Sequence, residues 1–138
     1  MGVRLLAAML VVSVVGCSQQ QQAGSEASAR EFFDSEFRKW MAGQETAVST
    51  MESRIRNLKN PISYDIRSVV PDKPDVLVIA QDSREPGTFK GDEKEWVAWK
   101  FNVLIEWESQ AGTPIKKVTT YTLTWNPRQK KWFVTERF

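Results

Sequence analysis

Few residues in this chain have side chains that could do chemistry. It has no histidine, and Cys17 is the single cysteine. Those absences remove the commonest general base, the commonest protein metal ligand and any internal disulfide. Carboxylates remain. Asp65 and Glu106 each fall in a stretch of alternating polarity, and either could serve as a lone base if burial disfavoured its charged form. On an exposed strand each would be an ordinary solvated charge. Asp92-Glu93-Lys94-Glu95 lacks the ligand spacing and the glycine of a calcium loop. There is no glycine-rich phosphate loop and no serine-nucleophile elbow. The pattern therefore names no catalytic residue, no metal site and no cofactor. Two binding chemistries stay open. Trp96, one of six tryptophans, could stack on the sugar rings of a cell-wall glycan if exposed. Lys116, Lys117, Arg128, Lys130 and Lys131 gather near the last hairpin and could meet anionic headgroups or an acidic partner. Such basic edges also discourage edge-to-edge strand pairing.

Cys17 gains meaning from what precedes it. Met1-Gly2-Val3-Arg4 carries one positive charge, and Leu5 to Val15 is an apolar run relieved only by Ser13. That run suits a signal-peptide core and falls short of the roughly 20 residues that span a bilayer as a helix. Val14-Val15-Gly16-Cys17 resembles a bacterial lipobox: two aliphatic or small residues, a glycine or alanine, then the cysteine. The resemblance implies cleavage between Gly16 and Cys17 and a diacylglycerol thioether on Cys17. It implies a protein held on the membrane of the bacterial cell envelope. Ser18, where an inner-membrane lipoprotein tends to carry Asp, points to the outer membrane of a two-membrane cell. A simple secretory signal would leave Cys17 as a free thiol, and N-myristoylation would need Ser or Thr where Leu6 stands.

Removal of residues 1–16 from the 138 leaves 122 and a net charge of +1. Such a chain suffices for one domain, burying roughly 60–70% of its unfolded surface, and gives no electrostatic case for nucleic acid. Residues 17–28 are small and polar and are expected to form a tether, leaving 29–138 as a single domain. From Ala29 to Leu58, Phe33, Phe37, Trp40, Met41, Ala47, Val48, Met51, Ile55 and Leu58 recur at spacings of three and four, a helical stripe. Ser28 is the expected N-cap, with Glu31 in the capping-box position. Gly43 either bends one long helix or separates two, and Asn60-Pro61 ends the segment.

The period then becomes two. Ile62–Ser68 reads as a half-buried strand and Val70–Pro74 as a turn or short loop. Val76–Ala80 is an apolar run expected to be a strand covered on both faces, and Gln81–Lys94 a long polar loop. Glu95–Ser109, Ile115–Trp125 and Lys131–Phe138 follow, joined by short turns that imply antiparallel pairing. In the longest strand Val97, Trp99, Phe101, Val103, Ile105 and Trp107 share one face. A strand of that length under a helix has to bend, which bulges achieve. Trp125 and Trp132 flank the last turn and can pair across it. The expected class is α+β: an N-terminal helix, or a pair broken at Gly43, on a curved antiparallel sheet of about five strands.

This layout resembles the cystatin-like and nuclear-transport-factor-2-like superfamilies, in which a curved sheet wraps a helical segment. Phe37-Arg38-Lys39-Trp40-Met41-Ala42-Gly43-Gln44 is similar to the opening of the second group, with Gln44 where Asp often stands. Tyr121-Thr122-Leu123-Thr124-Trp125 through Lys131-Trp132-Phe133-Val134 is similar to its closing hairpin. Enzymes of that group commonly use an Asp–His pair, which a chain without histidine cannot build. Three functions follow as expectations: a non-catalytic envelope lipoprotein binding a protein or small ligand; a cone-pocket enzyme or carrier with Asp65 or Glu106 inside; or a cell-wall glycan binder.

Overall fold

The computed structural model describes residues 22–75, 78, 96–108 and 112–138. Its architecture is α+β: helix α1 (Glu26–Met41), a single-turn helix α2 (Met51–Ile55), and strands β1 (Ser63–Asp72), β2 (Val97–Trp107), β3 (Ile115–Asn126) and β4 (Lys131–Arg137). The strands form one open antiparallel sheet in the order β1-β2-β3-β4. Four strands are present among the described residues, one fewer than expected. Of the Val76–Ala80 run, which was expected as the extra strand, only Val78 is described, and it is buried with helical backbone. Its neighbours in the run, and the Gln81–Lys94 loop, lie outside the described residues.

Helix α1 starts three residues earlier than the capping reading predicts. Ser25, not Ser28, is the N-cap, and its hydroxyl accepts from the Ser28 N–H at 3.1 Å. Glu26 in the first turn and Arg38 and Lys39 in the last complement the helix dipole. Ala29, Phe33, Phe37 and Trp40 are buried against the sheet at the predicted spacing. The stripe ends there. Gly43 takes φ +99°, in the left-handed region that suits glycine, and the chain runs without helix to Thr50 before α2 begins. The two-helix option is therefore the right one. Met51 and Ile55 are 52% and 76% exposed, so the apolar pattern did not continue in phase across the break.

Strand β1 reaches past the expected turn. Val70, Pro71 and Asp72 pair with Lys100, Trp99 and Ala98. A proline is tolerated because β1 is an edge strand, where one missing N–H leaves no ladder bond broken on the open side. The irregularity expected in the long strand lies instead in β1 between Ile66 and Ser68. It carries Tyr64, Ile66 and Val69 onto the core side, while Ser68 pairs with Asn102 on the other.

The core sits between α1 and the inner face of the sheet. Phe33 is its centre, with ring centroids 5.0 Å from Phe101, 5.3 Å from Tyr121 and 5.6 Å from Phe37. Trp40 meets Trp107 edge-on at 6.0 Å. Val103, Ile105 and Leu123 fill the remainder. Trp125 and Trp132 do pair across the last turn, with centroids 5.2 Å apart.

Candidate functional site

Both carboxylates singled out in the sequence lie on strands at the far face of the sheet, away from α1. Asp65 on β1 pairs with Leu104, is exposed, and makes an ion pair with Arg67 at 3.1 Å. Glu106 on β2 is half-buried and accepts from the Ser63 hydroxyl at 3.1 Å. Neither lies in the helix–sheet interior, which is filled by aromatic and aliphatic side chains. The expected placement of these carboxylates in a cone pocket is thus not met. Trp96 stands just before β2. It is 4% exposed, and its indole N–H has no hydrogen-bond partner among the described residues. None of the six tryptophans is exposed: Trp40, Trp96, Trp107 and Trp132 are buried, and Trp99 and Trp125 half-buried. The exposed aromatic row that sugar stacking requires is not formed by them. Gly16 and Cys17 lie outside the described residues.

The far face carries a polar network that the sequence pattern placed there without assigning it a role. Thr120, Thr122 and Thr124 alternate outward on β3. The Thr122 hydroxyl donates to Asp72 Oδ2 at 2.9 Å and accepts from Arg137 Nε at 2.9 Å. Thr124 Oγ1 accepts from the Asp75 N–H at 3.2 Å, and the Thr135 hydroxyl donates to Asp75 Oδ2 at 2.7 Å. Farther along, Thr120 donates to Asn102 Oδ1 and Asn102 Nδ2 donates to Ser68. The first row thus joins β1, β3 and β4, the second joins the segment after β1 to β3 and β4, and the third joins β1, β2 and β3. Thr122 and Thr124 are fully buried, so neither hydroxyl can reach a substrate as a nucleophile. The chemistry of this network is that of positioning.

A cleft of ≈ 380 Å³ opens on the other end of the molecule, lined by Trp40, Gly43, Gln44, Ser49, Ser53, Asn57 and neighbours. Arg54 and Glu45 form an ion pair beside it at 2.7 Å, worth little because both are exposed. Two tyrosines mark the packed side. Tyr121 is buried and donates to the Val48 carbonyl at 2.8 Å, and burial drives its phenol well above the ordinary range. Tyr64 donates to Asp34 at 2.6 Å; burial, and then that carboxylate, push its pKa up to about 12. Both phenols are therefore held as neutral donors and cannot serve as bases near neutral pH.

The residues read as a tether prove partly structural. Gly24 is buried, with φ +82°, and a Cβ there would sit 2.7 Å from Val97 Cγ2 and 3.2 Å from Trp125 Cδ1. Its carbonyl accepts from Trp99 Nε1 at 2.9 Å. Trp132 Nε1 donates to Ser28 at 3.4 Å. Residues 24–28 thus belong to the domain, and the predicted boundary at residue 29 moves toward Cys17. The chain enters the domain at the tip of the β3–β4 hairpin.

The basic cluster also divides. Lys116 and Lys117 lie at the start of β3, and Arg128, Lys130 and Lys131 at and beyond its end. A strand rise of about 3.3 Å per residue puts Lys117 and Arg128 roughly 36 Å apart. Lys117 pairs with Glu52 of α2, and this hydrogen bond, ahead of other causes, holds the Glu52 carboxyl below its usual range. Among the described residues no group of three or more metal-binding side chains is gathered, and no helix is long and apolar enough to cross a membrane. Comparison with protein-family models, curated proteins and solved structures finds no match.

Proposed function

We propose that this chain is a lipoprotein of the bacterial cell envelope, anchored through Cys17, whose domain binds a protein or small ligand at its surface without catalysis. The observation that carries the reading is Val14-Val15-Gly16-Cys17 at the end of a short apolar run, with the single cysteine of the chain in the acceptor position. Two or more acyl chains give stable attachment, since each buried CH₂ contributes about 0.8 kcal/mol and one chain alone is marginal. Ser18 favours the outer membrane where the cell has two. The non-catalytic part rests on the filled interior and on the outward positions of Asp65 and Glu106. The finer fold reading is cystatin-like. Among the described residues, one long helix laid along a four-stranded meander suits that simpler layout.

The test is the full chain and its Cys17→Ala variant expressed in a bacterium supplied with a labelled fatty acid. The wild type is expected in the membrane fraction carrying label, and the variant without label and displaced from that fraction. A wild type that takes up no label, or a variant that partitions and labels as before, would overturn the reading.

A further inference from the structure

Among the described residues, the end of the domain at which the chain enters gathers exposed basic side chains. Gly24 packs on Trp125, one residue before Asn126, which pairs with Lys131 to close the hairpin turn. Arg128, Lys130 and Lys131 are exposed on this turn, and Lys73 is exposed at the neighbouring end of β1, whose Asp72 lies level with Ala98 and Thr124. Among the described residues, three acidic groups at this end are engaged in the domain. Glu26 pairs with Arg30, Asp72 accepts from Thr122 and from the Lys73 N–H, and Asp75 is buried and accepts from Thr135. The turn is built rather than loose. Asn126 Oδ1 accepts from the N–H groups of Arg128 and Gln129, and the Lys130 N–H returns to the Asn126 carbonyl at 2.8 Å. Lys130 holds φ 54°, a backbone that glycine or asparagine adopts more readily.

We propose that this hairpin end is a docking surface for an anionic lipid bilayer, so that the anchored domain lies with the turn against the headgroups. The proposal rests on the lipoprotein reading and deepens it. Seven residue steps separate Cys17 from Gly24, a reach of at most roughly 25 Å when fully extended. The hairpin end is therefore confined near the lipid surface, and a short excursion brings its cations within a Debye length of it, about 8 Å in physiological salt. Polybasic segments so placed are attracted by anionic lipid. The α2 end is carried away from the membrane by the length of α1, roughly 24 Å for sixteen residues, which leaves the cleft beside α2 open to the aqueous side.

The experiment uses the full, lipid-bearing chain reconstituted into vesicles of phosphatidylcholine with or without phosphatidylglycerol. With Cys17 in a thioether, a cysteine introduced as Gln129→Cys or Gln44→Cys is the only free thiol, and it carries a fluorescent donor. Acceptor lipid in the outer leaflet reads the height of each end. In anionic vesicles the donor at position 129 is expected to transfer at least about twofold more than the donor at 44, given the ~24 Å helix between them. The excess is expected to shrink in high salt and in the Lys130→Gln, Lys131→Gln double variant, whose changes are confined to exposed side chains. Equal transfer from the two positions, or an excess indifferent to phosphatidylglycerol and to the double variant, would overturn the docking surface, as it would if the basic turn served an acidic protein instead. Failure of the anchor itself reads differently: the unlabelled wild type would not float with vesicles of either composition, which overturns both proposals together.

Discussion

Replacing Phe33 by alanine tests the core at its centre. Phe33 is fully buried and its ring faces Phe37, Tyr64, Phe101 and Tyr121 at centroid distances between 5.0 and 6.1 Å. Removing a buried phenylalanine costs about 3–5 kcal/mol through lost transfer energy and the cavity left behind. Four aromatic partners, on elements as far apart in sequence as α1, β1, β2 and β3, place this site in the upper half of that range, since a rigid cluster collapses little. A domain of this size holds about 5–15 kcal/mol in all, so Phe33→Ala is expected to lose about 4 kcal/mol. The companion variant is Ile55→Ala, which the helical stripe alone would rank as equally important. Ile55 is 76% exposed, and its loss is expected to change stability by less than about 0.5 kcal/mol. Urea unfolding followed by tryptophan fluorescence measures both, with the m-value checked for constancy. A Phe33→Ala loss below about 1 kcal/mol, or an Ile55→Ala loss of similar size, would refute the placement of α1 over the sheet and the ending of the stripe at Gly43.

Three further expectations follow from single contacts. Gly24→Ala introduces a Cβ into contact with Val97 at positive φ and is expected to destabilise by about 1–3 kcal/mol, with limited proteolysis now cutting near residues 22–28. Thr122→Val removes a buried hydroxyl that both donates to Asp72 and accepts from Arg137, and is expected to cost about 1–3 kcal/mol in thermal or urea unfolding. For Tyr64, the folded-state pKa of about 12 lies above the ordinary value of 10, so above pH 10 the unfolded chain binds fewer protons than the folded one. Its contribution is fully present below pH 10 and is lost as pH rises toward 12, a loss that Tyr64→Phe is expected to reduce in alkaline unfolding curves.

The strands were legible where period and turn chemistry agreed. Val97, Trp99, Phe101, Val103, Ile105 and Trp107 face α1 as their alternation predicts, and Asn126-Pro127 fixed the turn that lets Trp125 meet Trp132. Elsewhere a local rule reaches past its range. Met51 and Ile55 keep helical spacing from Trp40, but spacing carries phase only within one helix, and Gly43 with the non-helical Gln44–Thr50 segment resets it. Pro71 looked like a turn because proline rarely sits in a central strand; at an edge it is permitted. Ser25 and Ser28 are equivalent caps by type, and the choice fell to Ser25 because Gly24 allows the preceding backbone to press against Val97 and Trp125. Asp65 and Glu106 lie opposite the apolar face of their strands, so alternation itself puts them outside the helix–sheet interior, and the bulge at Ile66/Ser68 begins only after Asp65. By sequence number the basic residues form one group, whereas the length of β3 separates Lys116 and Lys117 from the hairpin turn.

The most direct test of the central claim is the intact mass of the mature protein extracted from bacterial membranes. The account predicts a chain that begins at Cys17 and carries a diacylglycerol thioether, with an acylated amino terminus where the host supplies it. A chain that retains Met1–Gly16, or begins at Cys17 with a free thiol, would contradict it.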